Sequence, residues 1–345
     1  MNPMKAMLFY GPKDIRLENI EIPDIKTDEV LVKINTAVTG GTDIKTYLRG
    51  HPRIIKTIPS SFGYEFSGIV QKSLNPQFNS GDAVIAGNTA PCYSCFFCKR
   101  EEYELCENLD FLNGSFAEYI KIPSQIANYN LYKIPTGTSF QEAASTQTLA
   151  VVLHGFYKSQ IKKHNNVLIL GLGAIGQTFI KVYKALAPNT KIIALAKSSL
   201  KTELAKINGA DFVLDYSSED IVEQIKSLTN GLGADLVIEA VGKPESWQQA
   251  LTLSRPGGVV VFFGGCPRGT QINLDTFQSH YQELTTIGVF HHTPSYIKTA
   301  LELICTNKIS MANLITHRFE LADLQNALEL SIRGEALKIC IMPPA

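Results

Sequence analysis

The stretch NVLILGLGAIGQTFIKV, which begins at Asn166, constrains the fold of this chain more than any other. A short apolar run is followed at once by Gly171, Gly173 and Gly176 in a G-x-G-x-x-G frame, and then by a segment of helical period. From there to about residue 288, apolar runs alternate with amphipathic ones: KIIALA with LKTELAKING, DFVLDY with SEDIVEQIKSLT, ADLVIEAVG with SWQQALTLS, and finally GGVVVFFG. Apolar strands separated by amphipathic helices bury both faces of a sheet, which predicts a parallel, doubly wound arrangement. In that setting Gly171 allows a tight turn and Gly173 lets the backbone come close to a pyrophosphate. Gly176 permits close packing of helix on strand, and Ala174 and Ile175 open the helix whose positive end would face the phosphates.

About twenty residues further on, sites for the unphosphorylated dinucleotide place an acid against the ribose 2′-hydroxyl. Counting back from Gly209, that position is Ala196, and behind it come Lys197, Ser198, Ser199 and Lys201. With no carboxylate to repel a 2′-phosphate and several donors to bind it, the pattern predicts NADP(H), with Lys197, Ser198 and Lys201 as its contacts. The plainer reading of the same run is a solvated turn leading into the next helix.

Residues 1–135 are built differently. Short runs such as EVLVKINTAV, FSGIVQKS, GDAVIAG and FAEYIKIP, punctuated by Gly, Pro and Asn, predict a mostly antiparallel β domain. Helical period starts in SFQEAASTQTLAVVLHGFYKS, with Ser139 as the predicted N-cap and Glu142 completing a capping box. After about residue 288 comes the helix PSYIKTALELICTN, and the last strand, KICIMP, is expected to return to the first domain. At 345 residues the length suits roughly two domains of about 150 each. Lys and Arg total 32, as do Asp and Glu, so no basic excess points to nucleic acid or an acidic membrane. Runs such as VLIL are too short to span a bilayer, and the first residues show no apolar core before a small-residue cleavage site.

Four of the seven cysteines crowd into PCYSCFFCKREEYELCENL. Cys92, Cys95, Cys98 and Cys106 give the spacing C-x2-C-x2-C-x7-C, which predicts a metal site in a reducing, cytoplasmic compartment rather than a disulfide framework. Four thiolates suit one tetrahedral zinc, and an all-cysteine site is closed and structural. An iron–sulfur cluster is the alternative.

Together these features resemble the zinc-containing medium-chain dehydrogenase/reductase family, in its alcohol, polyol and threonine dehydrogenase branch. The resemblance is carried by GGTD at 40–43, GYEFSGIV at 63–70, the cysteine lobe, GSFAEYIKIP at 114–123 and the glycine motif. RPGGVVVFFG at 255–264 and THRFELAD at 316–323 complete it. It implies an α/β fold: a GroES-like, mostly β catalytic domain of residues 1–150 and 289–345, and a Rossmann domain of residues 151–288. It also implies a catalytic zinc held by three side chains. Their counterparts here are Gly40, Tyr64 and Gln147, so all three ligands are replaced, while Asp43 and Glu65 remain. Glycine offers no donor, and tyrosine and glutamine are poor zinc ligands. The expectation is therefore one structural zinc and no catalytic one.

With the metal gone, another group must stabilise the substrate oxygen. Thr42 stands where the family has a proton-passing hydroxyl, Lys45 where many members carry a relay histidine, and Tyr64 where a ligand was. Lys338 matches a basic position that touches the cofactor phosphate in relatives. His291 and His292 are candidates for reaching substrate, with a core role expected for at least one. The implied activity is NADP(H)-dependent reduction of a small ketone or aldehyde. Two alternatives stand beside it: reduction of an activated alkene, and a non-catalytic nucleotide sensor. The implied assembly is a homodimer or homotetramer.

Overall fold

The run VLVKINTAV, rich in β-branched residues that suit a pleated, half-buried surface, forms the strand Val30–Val38 at the hub of a largely antiparallel sheet. The computed structural model describes residues 3–160, 163–197 and 199–344. They divide into two compact units, one of residues through Ala150 with those from His292 onward, the other of Val151–His291.

In the first unit the sheet runs Leu131–Lys133, Ala83–Ala86, Phe66–Ser73, Val30–Val38, Lys338–Met342, Ile315–Glu320, with Tyr119–Ile122 also paired to Val30–Val38. The last strand of the chain returns to this unit as expected, setting Cys340 against Val38 and Ile341 against Ala37. A second small sheet joins Asp14–Glu21, Pro3–Gly11 and Ser60–Ser61. The core between them includes Phe9, Phe62, Phe66 and Phe116, with the Phe62 and Phe116 rings 5.3 Å apart. This is the GroES-like architecture that the resemblance implies.

The second unit holds, among the described residues, six parallel strands. Their order is Phe212–Asp215, Lys191–Ala196, Asn166–Leu170, Ala234–Glu239, Ser254–Phe262, Thr285–Gly288. Helices such as Ala174–Leu186, Ile221–Leu228 and Pro244–Thr252 fill the crossovers, giving the doubly wound sheet read from the alternation. No helix among the described residues is long and apolar enough to cross a membrane.

Two details differ from the sequence reading. Helix formation after Ser139 is interrupted at Ser145, giving Phe140–Ala144 and Thr146–Ser159. Glu142 closes no capping box, because its carboxylate accepts from Ser310 Oγ and from the amides of Met311 and Ala312. The return to the first unit also falls after His291 rather than after residue 288. The extra residues stay with the parallel sheet: the Val289 amide donates to Phe262 and His154 Nδ1 donates to the His291 carbonyl at 2.9 Å.

Candidate active site

The helix Gly41–Arg49 starts at Gly40, directly after the hub strand and Thr39. Asp43 holds that start, its carboxylate accepting the Gly40 amide at 2.8 Å. A β-carbon built on Gly40 would lie 2.8 Å from Glu65 Oε1 and 3.3 Å from the Tyr64 hydroxyl. The space a side chain at position 40 would need is therefore filled by a carboxylate and a phenol. Tyr64 is buried, with the side chain of Thr42 near enough to its hydroxyl to act on its pKa. Burial, and then the Asp43 and Glu65 carboxylates, push its pKa well above the usual value for a phenol, so it stays protonated. Burial also outweighs the Gly40 amide at Asp43, whose pKa is pushed up to about 7. Gln147, expected from the sequence to stand at the third ligand position, is buried near the start of its helix.

Behind this cluster lies an ion pair that sequence reasoning missed. Lys338 Nζ donates to Glu65 Oε2 at 2.9 Å, to Thr148 Oγ1 at 2.8 Å and to the Thr39 carbonyl at 3.1 Å. The Thr148 hydroxyl in turn donates to Glu65 Oε2 at 2.8 Å. The side chains of Lys338 and Glu65 are 1% and 2% exposed. An ammonium has three N–H groups, and all three are taken inside the first unit. Lys338, expected from the sequence at a cofactor phosphate, is here buried and bonded to Glu65, Thr148 and Thr39. Lys45, by contrast, is exposed, one turn along the helix from Thr42. His292 is buried and donates Nε2–H to Asn88 Oδ1 at 2.8 Å, a core role.

In the second unit the glycine turn fits a dinucleotide. Gly171 has φ of +92°, and a β-carbon there would meet Val241 Cγ2 at 2.6 Å. One on Gly176 would lie 2.0 Å from the Gly171 carbonyl oxygen, so each position requires glycine. Nothing lies within 4 Å of a β-carbon at Gly173, which leaves that backbone open to a ligand. Gly173 caps the helix Ala174–Leu186 without any side-chain bond, so the amides of Ala174 and Ile175 belong to an uncapped, positive helix end. Opposite, Glu239 was not legible as part of the turn. Its Oε1 accepts from the Val241 and Gly242 amides and from Ser246 Oγ, fixing the segment packed on Gly171.

Ala196 ends its strand in register with Asp215, whose carboxylate accepts from the amide and hydroxyl of Ser217. Lys197 is exposed and its ammonium lies 5.0 Å from the centre of the Tyr216 ring. Lys201 is half-buried, and Ser198 lies outside the described residues.

The sulfurs of Cys92, Cys95, Cys98 and Cys106 lie within 4.8 Å of one another, with Cys92 to Cys98 at 4.0 Å and Cys95 to Cys106 at 3.9 Å. A zinc tetrahedron with arms of about 2.3 Å has edges of about 3.8 Å, so the donors fit the ion. The Ser94 hydroxyl and Asn108 amide donate to Cys92, which lowers the pKa of its thiol, while burial raises those of Cys98 and Cys106. Among the described residues this is the one group of His, Cys, Asp and Glu side chains close enough to hold a metal.

Comparison with known proteins agrees with this geometry. Residues 26–136 match the family model described as "Alcohol dehydrogenase GroES-like domain", and residues 174–306 match "Zinc-binding dehydrogenase". The sorbitol dehydrogenase of Bombyx mori is 32% identical over 97% of this chain and 97% of its own. An erythritol/L-threitol dehydrogenase of Mycolicibacterium smegmatis is 30% identical over 99% of this chain and 98% of its own. A putative zinc-binding dehydrogenase from Sinorhizobium meliloti, solved bound to NADP, is 29% identical with a TM-score of 0.91, covering 99% of this chain and 100% of that one. The chain belongs to the zinc-type medium-chain dehydrogenase family of alcohol and polyol dehydrogenases.

Proposed function

We propose that the protein is an NADP(H)-dependent oxidoreductase that interconverts a small ketone or aldehyde and its alcohol without a catalytic metal. The observation that carries this reading is the substitution at the catalytic centre: Gly40 has no donor atom, and the Tyr64 phenol and Glu65 carboxylate fill the space beside it. The glycine turn, with the amides of Ala174 and Ile175 at an uncapped helix end, would hold the pyrophosphate; Lys197, Ser198 and Lys201 would hold the 2′-phosphate. When bound, the cofactor supplies the hydride. The chain's own residues then manage charge and protons at the substrate oxygen.

Tyr64 is suited to that task. Its phenol is neutral over the physiological range and lies beside the Thr42 side chain. Hydride addition to a carbonyl leaves an alkoxide, a base about as strong as hydroxide and far stronger than any phenolate, so even a phenol of raised pKa gives up its proton to it. The resulting phenolate, buried beside Asp43 and Glu65, is costly and takes a proton back through Thr42, with Lys45 at the solvent end of the path. Lys338 offsets the charge of Glu65, so the pocket does not hold an unpaired carboxylate next to a nascent oxyanion.

NADPH oxidation across a panel of carbonyl compounds and enones tests the reading. Turnover of ketones or aldehydes is expected. So is at least a tenfold preference for NADPH over NADH, since a charge-assisted hydrogen bond contributes about 1.5–3 kcal/mol. Equal or tighter NADH binding contradicts the cofactor assignment, and turnover confined to enones contradicts the carbonyl assignment.

A further inference from the structure

The chain is neutral as a whole, yet one segment is not. Residues 44–56, IKTYLRGHPRIIK, carry Lys45, Arg49, Arg53 and Lys56 with His51 and no acid. The segment begins inside the helix that starts at Gly40, and the helix sorts its residues by face. Asp43, Thr46 and Tyr47 are buried, while Lys45 and Arg49 are exposed. Thr42, Lys45 and Arg49 stand at i, i+3 and i+7, a single stripe along the helix. That stripe starts at Thr42, whose side chain neighbours the Tyr64 phenol. At 1.5 Å per residue, Lys45 is about 5 Å and Arg49 about 10 Å along the axis from Thr42. Helical side chains lean toward the N-terminus, which brings both cationic heads back toward Thr42.

Beyond the helix the same charge continues. Gly50, with φ of +74°, ends the helix, and a turn follows in which the amides of Ile54 and Ile55 donate to the His51 carbonyl and that of Arg53 to His51 Nδ1. The turn folds the segment back on itself. His51 is half-buried, and after burial itself the charges that depress its pKa are those of Arg53, Arg49 and Lys45. Arg53, Arg49 and Lys45 therefore stand within electrostatic reach of one imidazole, and the latter two lie along the helix from Thr42 at a spacing that a chain of a few carbons spans.

We infer that this stripe makes the protein specific for a substrate whose carbon chain ends in an anion, a phosphate monoester or a carboxylate, with the reacting carbonyl at Tyr64 and the anion against Arg49 and its neighbours. This rests on the carbonyl-reduction reading of the Tyr64 site and deepens it. Arg49 is the specificity-determining residue, because its planar fork binds such oxygens two at a time.

The test compares ribulose, its terminal phosphate ester and a keto-hexonate. Each is titrated calorimetrically into the zinc-loaded protein with and without NADP+, and each is assayed for reduction with NADPH and with NADH. At least one anionic compound is expected to exceed neutral ribulose about tenfold or more in affinity and in kcat/KM, the scale of one charge-assisted contact. The ester and keto-acid arms identify which anion. Arg49→Ala is expected to shrink that ratio about tenfold, whereas a merely structural lesion lowers all the compounds in proportion and leaves the ratio unchanged. Arg49→Lys is expected to restore part of it. Equal or better use of ribulose, no saturable binding of either anion, or a ratio untouched by Arg49→Ala overturns the inference. Anion-selective binding without turnover on either cofactor leaves the anion contact at Arg49 standing and removes the oxidoreductase reading; turnover without selectivity does the reverse.

Discussion

Replacing Tyr64 with Phe is expected to lower the rate of single-turnover hydride transfer at saturating NADPH by about 10²-fold or more, the usual scale of a general-acid contribution. The substitution removes one oxygen and keeps the ring. Packing in the buried site, where a β-carbon on Gly40 would already crowd the phenol at 3.3 Å, is therefore little changed. Cofactor affinity and the cysteine lobe are expected to stay as they were, because the glycine turn and the four thiols lie in other parts of the chain. The competing account is that Tyr64 only fills volume left by a metal ligand. On that account the Phe variant, a ring of almost the same shape, stays within about threefold of the parent, and the proton role passes to Thr42 and Lys45.

Lys338→Met is expected to destabilise the protein by about 3–5 kcal/mol, as removing one partner of a buried ion pair does, because Glu65 is left as an uncompensated charge. It also strips Thr148 and the Thr39 carbonyl of their donor. The double variant Lys338→Met/Glu65→Gln removes both charges and is expected to recover most of the loss, since an apolar or neutral replacement of the whole pair is often close to neutral. Equilibrium urea unfolding of the parent, Lys338→Met, Glu65→Gln and the double variant measures the cycle. A Lys338→Met variant that is as stable as the parent but binds NADPH several-fold more weakly would return this lysine to the cofactor phosphate and contradict the assignment of its ammonium to Glu65, Thr148 and Thr39.

What the sequence revealed and what it hid follow one physical division. The alternation from Asn166 to residue 288, the glycine turn and the cysteine spacing are local patterns. In each, the ligand-facing or core-facing residues sit within one turn, one strand or one short loop, so spacing along the chain reports spacing in space. The substitutions proposed at the ligand positions, Gly40, Tyr64 and Gln147, were likewise read residue by residue against a family pattern. The ion pair was not. Lys338 and Glu65 are 273 residues apart and meet only because the last strand returns beside Val30–Val38. Read alone, a lysine on a terminal strand looks like a surface cation. Glu142 failed in the same way: its position in an S-x-x-E frame suggested a cap, but the amides of Met311 and Ala312, brought near by tertiary packing, compete for the carboxylate and win. The cationic residues from Lys45 to Lys56 were present in the letters, but the place of Thr42, on their helix and beside the Tyr64 phenol, emerged only from the fold.

The central claim is that the chain retains the structural metal of its family and has replaced the catalytic one by side chains. Zinc content of the untagged, catalytically active protein, measured beside its Cys98→Ser variant, tests this most directly. The predicted result is one zinc per chain in the parent, a lost or weakened zinc in the lobe variant, and no further zinc taken up at Tyr64 when the ion is supplied in excess. Two tightly held zincs per chain, or activity that disappears on chelation with the lobe still loaded and returns with added zinc, contradicts it.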